Sequence, residues 1–316
     1  MRITAPAPAG RRAPALARTV IRDFKLNKWK YLLVLPAIVF FAVFAYKPMY
    51  GVLIAFKDYR PGLGIAGSPW VGLKHFREFF NDIYFVRVLR NTFSISLLSI
   101  LFGFPAPILL ALFLNEIKTP LFKRSIQTIT YMPYFIATVV VCGLIKAYCQ
   151  TNGVFNDLAV ILGGVRTNFL VQSKYFYLIF VGSGIWQTIG WDSIIYLAAL
   201  TSIDQEQYEA ARIDGAGRFR QMLSVTLPGL LPTITILFIL RMGGVLNVGF
   251  EKILLLYQPT TYNVADVIAT YTYRKGIVET SYSYSTAVGL FNSTVNIAFL
   301  LAANRLSRKI GETSLF

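Results

Sequence analysis

The chain has 316 residues, 55% of them hydrophobic and 15% charged, with a mean hydropathy of +0.55 and a net charge of +16. Soluble domains carry about 25% charged residues, and here the apolar residues run in blocks too long for a globular core, so the composition excludes an ordinary soluble domain in favour of a polytopic membrane protein. The positive charge argues against a nucleic-acid binder, because Lys and Arg cluster at the chain ends and beside apolar blocks, with no basic patch carrying interleaved aromatics.

Residues 1–30 are rich in Ala, Pro and Arg and contain no apolar core, so they read as a basic cytoplasmic segment ahead of a true span rather than a cleaved signal. Residues 1–20 are expected to be disordered. Six apolar segments follow, each about 20 residues or longer: Tyr31–Ile54, Asn91–Asn115, Ser125–Ile145, Tyr175–Leu200, Leu230–Tyr257 and Thr280–Asn304. The expected fold is therefore an all-α membrane protein with six transmembrane helices, spanning 31–304, and a short tail at 305–316. Lys118, Lys123 and Arg124, then Arg212, Arg218 and Arg220, then Arg305, Arg308 and Lys309 join the basic N-terminus on one side of such a bundle. That bias places both termini and the 201–228 connection in the cytoplasm.

In the first outer loop, Lys57–Arg90, the spacing of Leu73, Phe76 and Phe80 predicts an interfacial helix with His75 beside its apolar face, at the surface. Further outer loops are 149–174, with an amphipathic piece at Val154–Leu162, and 258–279. Cys142 and Cys149 stand seven residues apart in one apolar segment, about 10 Å at helical rise, and read as small buried hydrophobes rather than a disulfide. With His75 the sole histidine, no metal site can be assembled.

Five charges fall inside the expected spans; Lys47 lies near the outer end of the first and can snorkel. Asp192 sits beside Trp191 toward the inner third of the fourth. Arg241 lies about nine residues into the fifth, ~14 Å from the cytoplasmic side. There a charge must face protein or water, and two readings stand: a cation lining a path for an anionic solute, or a structural arginine. Glu251 and Lys252 fall near the outer end of the fifth span, as a surface pair or a packing contact, with Lys252 able to snorkel to the interface. Asn247 lies among Gly243, Gly244 and Gly249, a combination that suits either a broken helix at a water-filled path or close helix packing.

The connection after the fourth span is charged, helix-forming and punctuated by glycine. Asp204 can cap a helix beginning at Gln205, with Gln207 placed to return the bond. Gly215 suits the left-handed residue that ends it. A second helix over about Arg218–Thr226 is expected to stop near Pro228. Ala210 and Ala211 leave a flat face, while Glu209 and Asp214 offer anionic groups to a basic partner.

Glu209-Ala210-Ala211, Gly215, Val225 and Leu227-Pro228 stand at the spacings of the EAA loop, and the segment resembles that loop in the permeases of binding-protein-dependent ABC importers. Val225 replaces a commoner Ile, and Gln205 stands where a proline is often found. The resemblance extends through Tyr31–Pro36, Pro48–Gly51, Ala55–Asp58, Gly67–Leu73, Asn247–Glu251 and Ala287–Asn292 to the polysaccharide-type carbohydrate permeases, alginate-oligosaccharide permeases among them. It implies the type I importer fold in a bacterial inner membrane. It also implies a second homologous permease, an ABC ATPase dimer, an extracytoplasmic solute-binding protein and an oligosaccharide substrate, acidic ones included. Glu209, Ala210, Ala211, Asp214, Gly215, Leu227 and Pro228 would then couple to the ATPase, and Arg241, Asn247, Glu251, Lys252, Asp192 and Trp191 would be path candidates. The chain has no Gly-x-x-x-x-Gly-Lys run and so no phosphate cradle, so ATP and Mg²⁺ would be used by a partner, with no cofactor bound here. An ion-coupled secondary transporter is the alternative. It would want an internal carboxylate network, for which only Asp192 and Glu251 are available, and it leaves the 201–228 loop unexplained. A membrane-embedded enzyme has little to work with.

Overall fold

The structure is a computed structural model that describes Asp23 and residues 26–310. Most of the basic segment 1–30, including its expected disorder, and residues 311–316 of the tail lie outside that range. The chain divides into two units at Leu53. In the first, helix α1 (Lys28–Phe41) is apolar all round and buries none of its side chains. It continues through a π turn at Ala42–Tyr46.

The second unit is helical. After α2 (Lys74–Phe80) come α3 (Phe85–Glu116), α4 (Pro120–Phe135), α5 (Thr138–Cys149) and α6 (Val154–Ile161). The series continues with α7 (Ser173–Leu200), α8 (Gln205–Ile213), α9 (Arg218–Met242), α10 (Phe250–Leu256), α11 (Ile268–Tyr273) and α12 (Tyr282–Ile310).

Among the described residues four helices are long and apolar enough to cross a membrane, or five if the α4–α5 pair counts as one bent span. The expected fourth span, α7, has the length at 28 residues. It falls short in apolarity because Ser183, Gln187, Thr188, Asp192 and Ser193 interrupt it. Two other expected spans are not single helices. The third bends by 99° where α4 gives way to α5. Pro133 cannot donate to the carbonyl of Ile129, and the chain tightens into a 3₁₀ turn before extending at Ile136. The fifth ends at Met242, unwinds over 243–249 and resumes as α10 from Gly249, whose φ of +78° is left-handed.

Prolines shape the long helices without stopping them. π turns at Ala42–Tyr46, Ser99–Gly103 and Met222–Thr226 each precede a proline: Pro48, Pro105 and Pro228. A proline lacks the N–H for the carbonyl four residues back, and its ring crowds that carbonyl; widening the turn relieves both. The helix expected to stop near Pro228 therefore runs on, and α9 joins the connection and the interior in one rod about 35 Å long.

α7 is the central helix, and Gly190 permits its approach to α4. A Cβ there would stand 2.1 Å from the Thr130 carbonyl oxygen, so any side chain would force the helices apart. On one end, Ile108 and Leu112 of α3, Tyr196 and Leu200 of α7, Ile203, and Val225 and Leu230 of α9 form one core. On the other, Phe79 of α2 packs between Phe85 (5.0 Å between centroids) and Phe291 (5.5 Å), beside Tyr271 and Tyr284. This cluster takes up the other face of α2 and corrects the expected place of His75. Phe79 is fully buried and His75, one turn earlier, is 7% exposed, whereas Leu73 and Phe80 are exposed. His75 is thus an interior residue, its Nδ1 2.9 Å from Glu78 Oε2. Cys142 and Cys149 are free thiols inside a core of α5, α7 and α10 residues.

Two polar networks tie down the same end. Asp266 has no exposed surface; it meets Arg87 at 3.3 Å and Arg274 at 2.8 Å and accepts a bond from the Thr270 hydroxyl at 2.9 Å. Asp82 accepts from the Tyr271 hydroxyl (2.6 Å), the Tyr84 N–H (2.7 Å) and the Tyr284 hydroxyl (3.2 Å). Burial works to raise the Asp82 pKa, but these bonds and the Lys275 charge more than offset it and hold the carboxyl below its usual value.

Candidate functional site

A cavity of about 510 Å³ opens between α3, α7, α9, the unwound segment and α10. Asp192, Arg241, Asn247 and Lys252, four of the path candidates, line it together. They come from separate places: Asp192 from the C-terminal third of α7, Arg241 from the last turn of α9, Asn247 from the unwound segment and Lys252 from the first turns of α10.

Trp191 and Glu251 do not line the cavity. Each is one residue from a side chain that does, and one helical step rotates a side chain by about 100°. Trp191 instead stacks on Tyr134, with 4.6 Å between centroids and 3° between planes, and meets Phe135 edge-on. Glu251 is exposed. Lys252 departs from the expected snorkelling position. It is only 8% exposed, its Nζ donating to the Phe180 carbonyl at 3.2 Å and lying 5.2 Å from the Phe180 ring centre.

Asp192 interacts with the Thr188 hydroxyl and the charge of Arg241, yet neither Arg241 nor Lys252 has a carboxylate within 4.0 Å among the described residues. The cavity thus holds two cations against one anion.

The break in the helix is what admits Asn247 and Lys252, and its backbone is satisfied from neighbouring helices. Leu246 N–H donates to Asn296 Oδ1 at 3.0 Å, and Ser96 Oγ donates to the Val245 carbonyl. Asn247 Oδ1 accepts from Asn292 at 3.2 Å and Asn296 at 3.4 Å. Such irregular backbone is stable at membrane depth only where protein or a water-filled cavity receives its polar groups. Sequence reading missed Ser96, Gln187, Thr188 and the Asn292–Asn296 pair. Asn292 and Asn296, four apart in an apolar run, were a usable signal; nothing in the spacing links positions 96, 187 and 241. The aromatics Phe104, Phe180 and Tyr196 line this cavity, whereas Trp186 lines a separate, almost wholly apolar one of about 650 Å³.

The 201–228 connection links the C-terminal end of α7 to α9. Asp204 caps α8 by accepting from Glu206 N–H at 3.0 Å; the reciprocal Gln207 bond is not made among the described residues. Gly215, with φ +77°, ends α8 in a Schellman motif: Ala216 N–H bonds to Ala211 O at 2.9 Å and Gly215 N–H to Arg212 O at 3.0 Å. The Tyr208 hydroxyl lies 3.0 Å from Thr226 Oγ1, which pins α8 to α9. Glu209, Ala210, Asp214 and Gly215 are exposed, as are Ile213 at 86% and Phe219 at 69%. Leu227 is half-buried and Pro228 exposed, at the point where α9 enters the bundle. Exposed anions beside exposed apolar side chains make a surface suited to a protein partner.

Residues 103–312 match the family model described as "Binding-protein-dependent transport system inner membrane component". The chain is 46% identical to Protein LplB of Bacillus subtilis (strain 168), over 98% of this chain and 99% of that one. It is 44% identical to the polygalacturonan/rhamnogalacturonan transport system permease protein YteP of the same strain, over 92% and 91%. A solved structure of a bacterial ABC transporter involved in the import of the acidic polysaccharide alginate superposes with a TM-score of 0.86 at 44% identity, covering 92% of this chain and 99% of that one. A second, of a bacterial alginate ABC transporter in complex with an alginate pentasaccharide-bound periplasmic protein, gives 0.86 at 43% identity, covering 93% and 99%.

Proposed function

The chain belongs to the family of binding-protein-dependent transport system inner membrane components, and from that premise we propose that it is a permease subunit of an ATP-driven importer of acidic oligosaccharides in the bacterial cytoplasmic membrane. The observation that carries the choice of substrate is the cavity: Arg241 and Lys252 outnumber Asp192, and neither cation has a carboxylate within 4.0 Å among the described residues. A positive cavity at membrane depth favours an anionic solute. The relatives named for alginate and polygalacturonan, both uronate polymers, agree with that sign.

In this reading six helices cross the membrane, with α7 as the crossing that its polar, path-facing side chains make less apolar. Both termini and the 201–228 connection face the cytoplasm. A second, homologous permease supplies the other half of the path, an extracytoplasmic binding protein delivers the sugar, and an ATPase dimer hydrolyses ATP. Glu209, Ala210, Ala211, Asp214 and Gly215 form the docking surface for that ATPase. The Leu227-Pro228 pair lies where the docking surface joins the rod. Because α9 runs unbroken from Arg218 to Met242, a tilt imposed at the docking surface reaches Arg241 at the other end. ATP hydrolysis can in this way change which side the cavity opens to.

Purification of the chain from its native membrane tests the assembly, with an ATPase and a second permease expected to accompany it. Labelling of a cysteine placed at residue 215 by an impermeant reagent in intact cells would contradict the topology.

A further inference from the structure

Lys252 is the one cavity residue whose burial and lack of a counter-ion have no structural explanation. It is 8% exposed, and of its three donors one is accounted for, by the Phe180 carbonyl at 3.2 Å. The Phe180 ring at 5.2 Å offsets part of the cost of holding a charge there. A buried cation without an anion is expensive, and a glutamine could serve the Phe180 bond without that cost. Two further features favour a ligand. Gly249, in the left-handed conformation, starts α10 so that Lys252 turns into the cavity while Glu251 turns out. Gly184 faces the ammonium with no side chain: a Cβ there would lie 3.6 Å from Nζ, in the space a ligand group would use.

We propose that Lys252 is a second carboxylate-binding subsite of the path, separated from Arg241 by the unwound segment 243–249, so that a uronate oligomer engages two cations in succession with the Asn247 amide between them. This rests on the acidic-substrate reading above. A chain of uronates fits such a pair because its carboxylates repeat along the oligomer: one can be bound at Arg241 before another leaves Lys252. A neutral sugar gains nothing from either cation.

The test uses the whole reconstituted transporter and two oligosaccharides of equal length, one a uronate oligomer and one neutral. The readouts are uptake and sugar-stimulated ATP hydrolysis. Lys252→Gln keeps a donor for Phe180 but removes the charge. It should lower uronate uptake by roughly ten-fold, the worth of one hydrogen bond to a charged group, and leave neutral uptake unchanged. Lys252→Arg should keep the preference for the uronate. An unchanged uronate preference in Lys252→Gln overturns the subsite while leaving the acidic-substrate reading intact. An equal fall for both sugars, or loss of assembly in Lys252→Gln, makes the residue structural and also overturns it. A wild-type transporter with no preference between the two sugars would instead bring down the acidic-substrate reading itself.

Discussion

Asp266→Asn should loosen the α2 end of the bundle without touching the cavity. The substitution keeps the shape and removes the charge that two arginines share, at 3.3 Å from Arg87 and 2.8 Å from Arg274, on a residue that has no exposed surface. Removing one partner of a buried pair costs about 3–5 kcal/mol. Here Arg87 and Arg274 are 31% and 27% exposed, so water recovers part of their charge, and about 2–3 kcal/mol is the better figure. At roughly 2 °C per kcal/mol for a chain of this size, the melting midpoint should fall by roughly 4–6 °C. Thermal unfolding of the detergent-solubilised complex, followed by size-exclusion chromatography after heating, measures it. Arg90→Ala is the control: it loses only an exposed bond to the Asn263 carbonyl and should shift the midpoint by about 1 °C or less. Equal midpoints for Asp266→Asn and the wild type would refute the claim that this triad fastens loop 258–279 to α3.

The proposed docking surface and the acid sensitivity of the Asp82 network yield two more expectations. Gly215→Val places a β-branched residue at φ +77°, at a cost of about 1–2 kcal/mol confined to the turn. Sugar-stimulated ATP hydrolysis should be lost while the chain still inserts, as should happen when Glu209→Lys reverses the presented charge; normal coupling in both variants removes the loop from the mechanism. Because the Asp82 carboxyl is held below its usual pKa in the folded chain, its contribution to stability is fully present above about pH 4 and is lost as pH falls through the folded value. The stability gap between wild type and Asp82→Asn should therefore be constant from neutral pH down to about 4 and close below it; a gap that closes between neutral pH and 5 would contradict this.

The elements set by local chemistry were legible in the sequence. Asp204 before Gln205 and Gly215 after Asp214 announced both ends of α8, because a cap and a left-handed glycine act within four residues. The long apolar runs announced α3 and α12 for the same reason. Pro228 misled, since proline stops a helix only if the preceding turn cannot widen, and the π turn at Met222–Thr226 shows that it can. Pro133 and the glycines at 243–249 did break helices, but hydropathy averages over a whole span and cannot see a seven-residue unwinding. His75 was misplaced because the partners that cover its side of α2, Phe85, Tyr271 and Phe291, lie outside that helix, so periodicity within α2 does not show that His75 and Phe79 are buried. The charged candidates stood out because a charge in an apolar run is conspicuous, and three of the four, Asp192, Arg241 and Lys252, line one cavity. Which of two neighbours faces inward, Trp191 or Asp192, Glu251 or Lys252, depended on helix rotation that only the packed bundle fixes.

Uptake by the reconstituted transporter carrying Arg241→Gln, compared with wild type on uronate and neutral oligomers of equal length, tests the central claim most directly. The charged hydrogen bond lost is worth about 1.5–3 kcal/mol, so uronate uptake should fall by roughly ten-fold or more while neutral uptake and assembly hold. Equal falls for the two sugars, or a complex that no longer assembles, would place Arg241 in the scaffold and contradict an acidic path through this cavity.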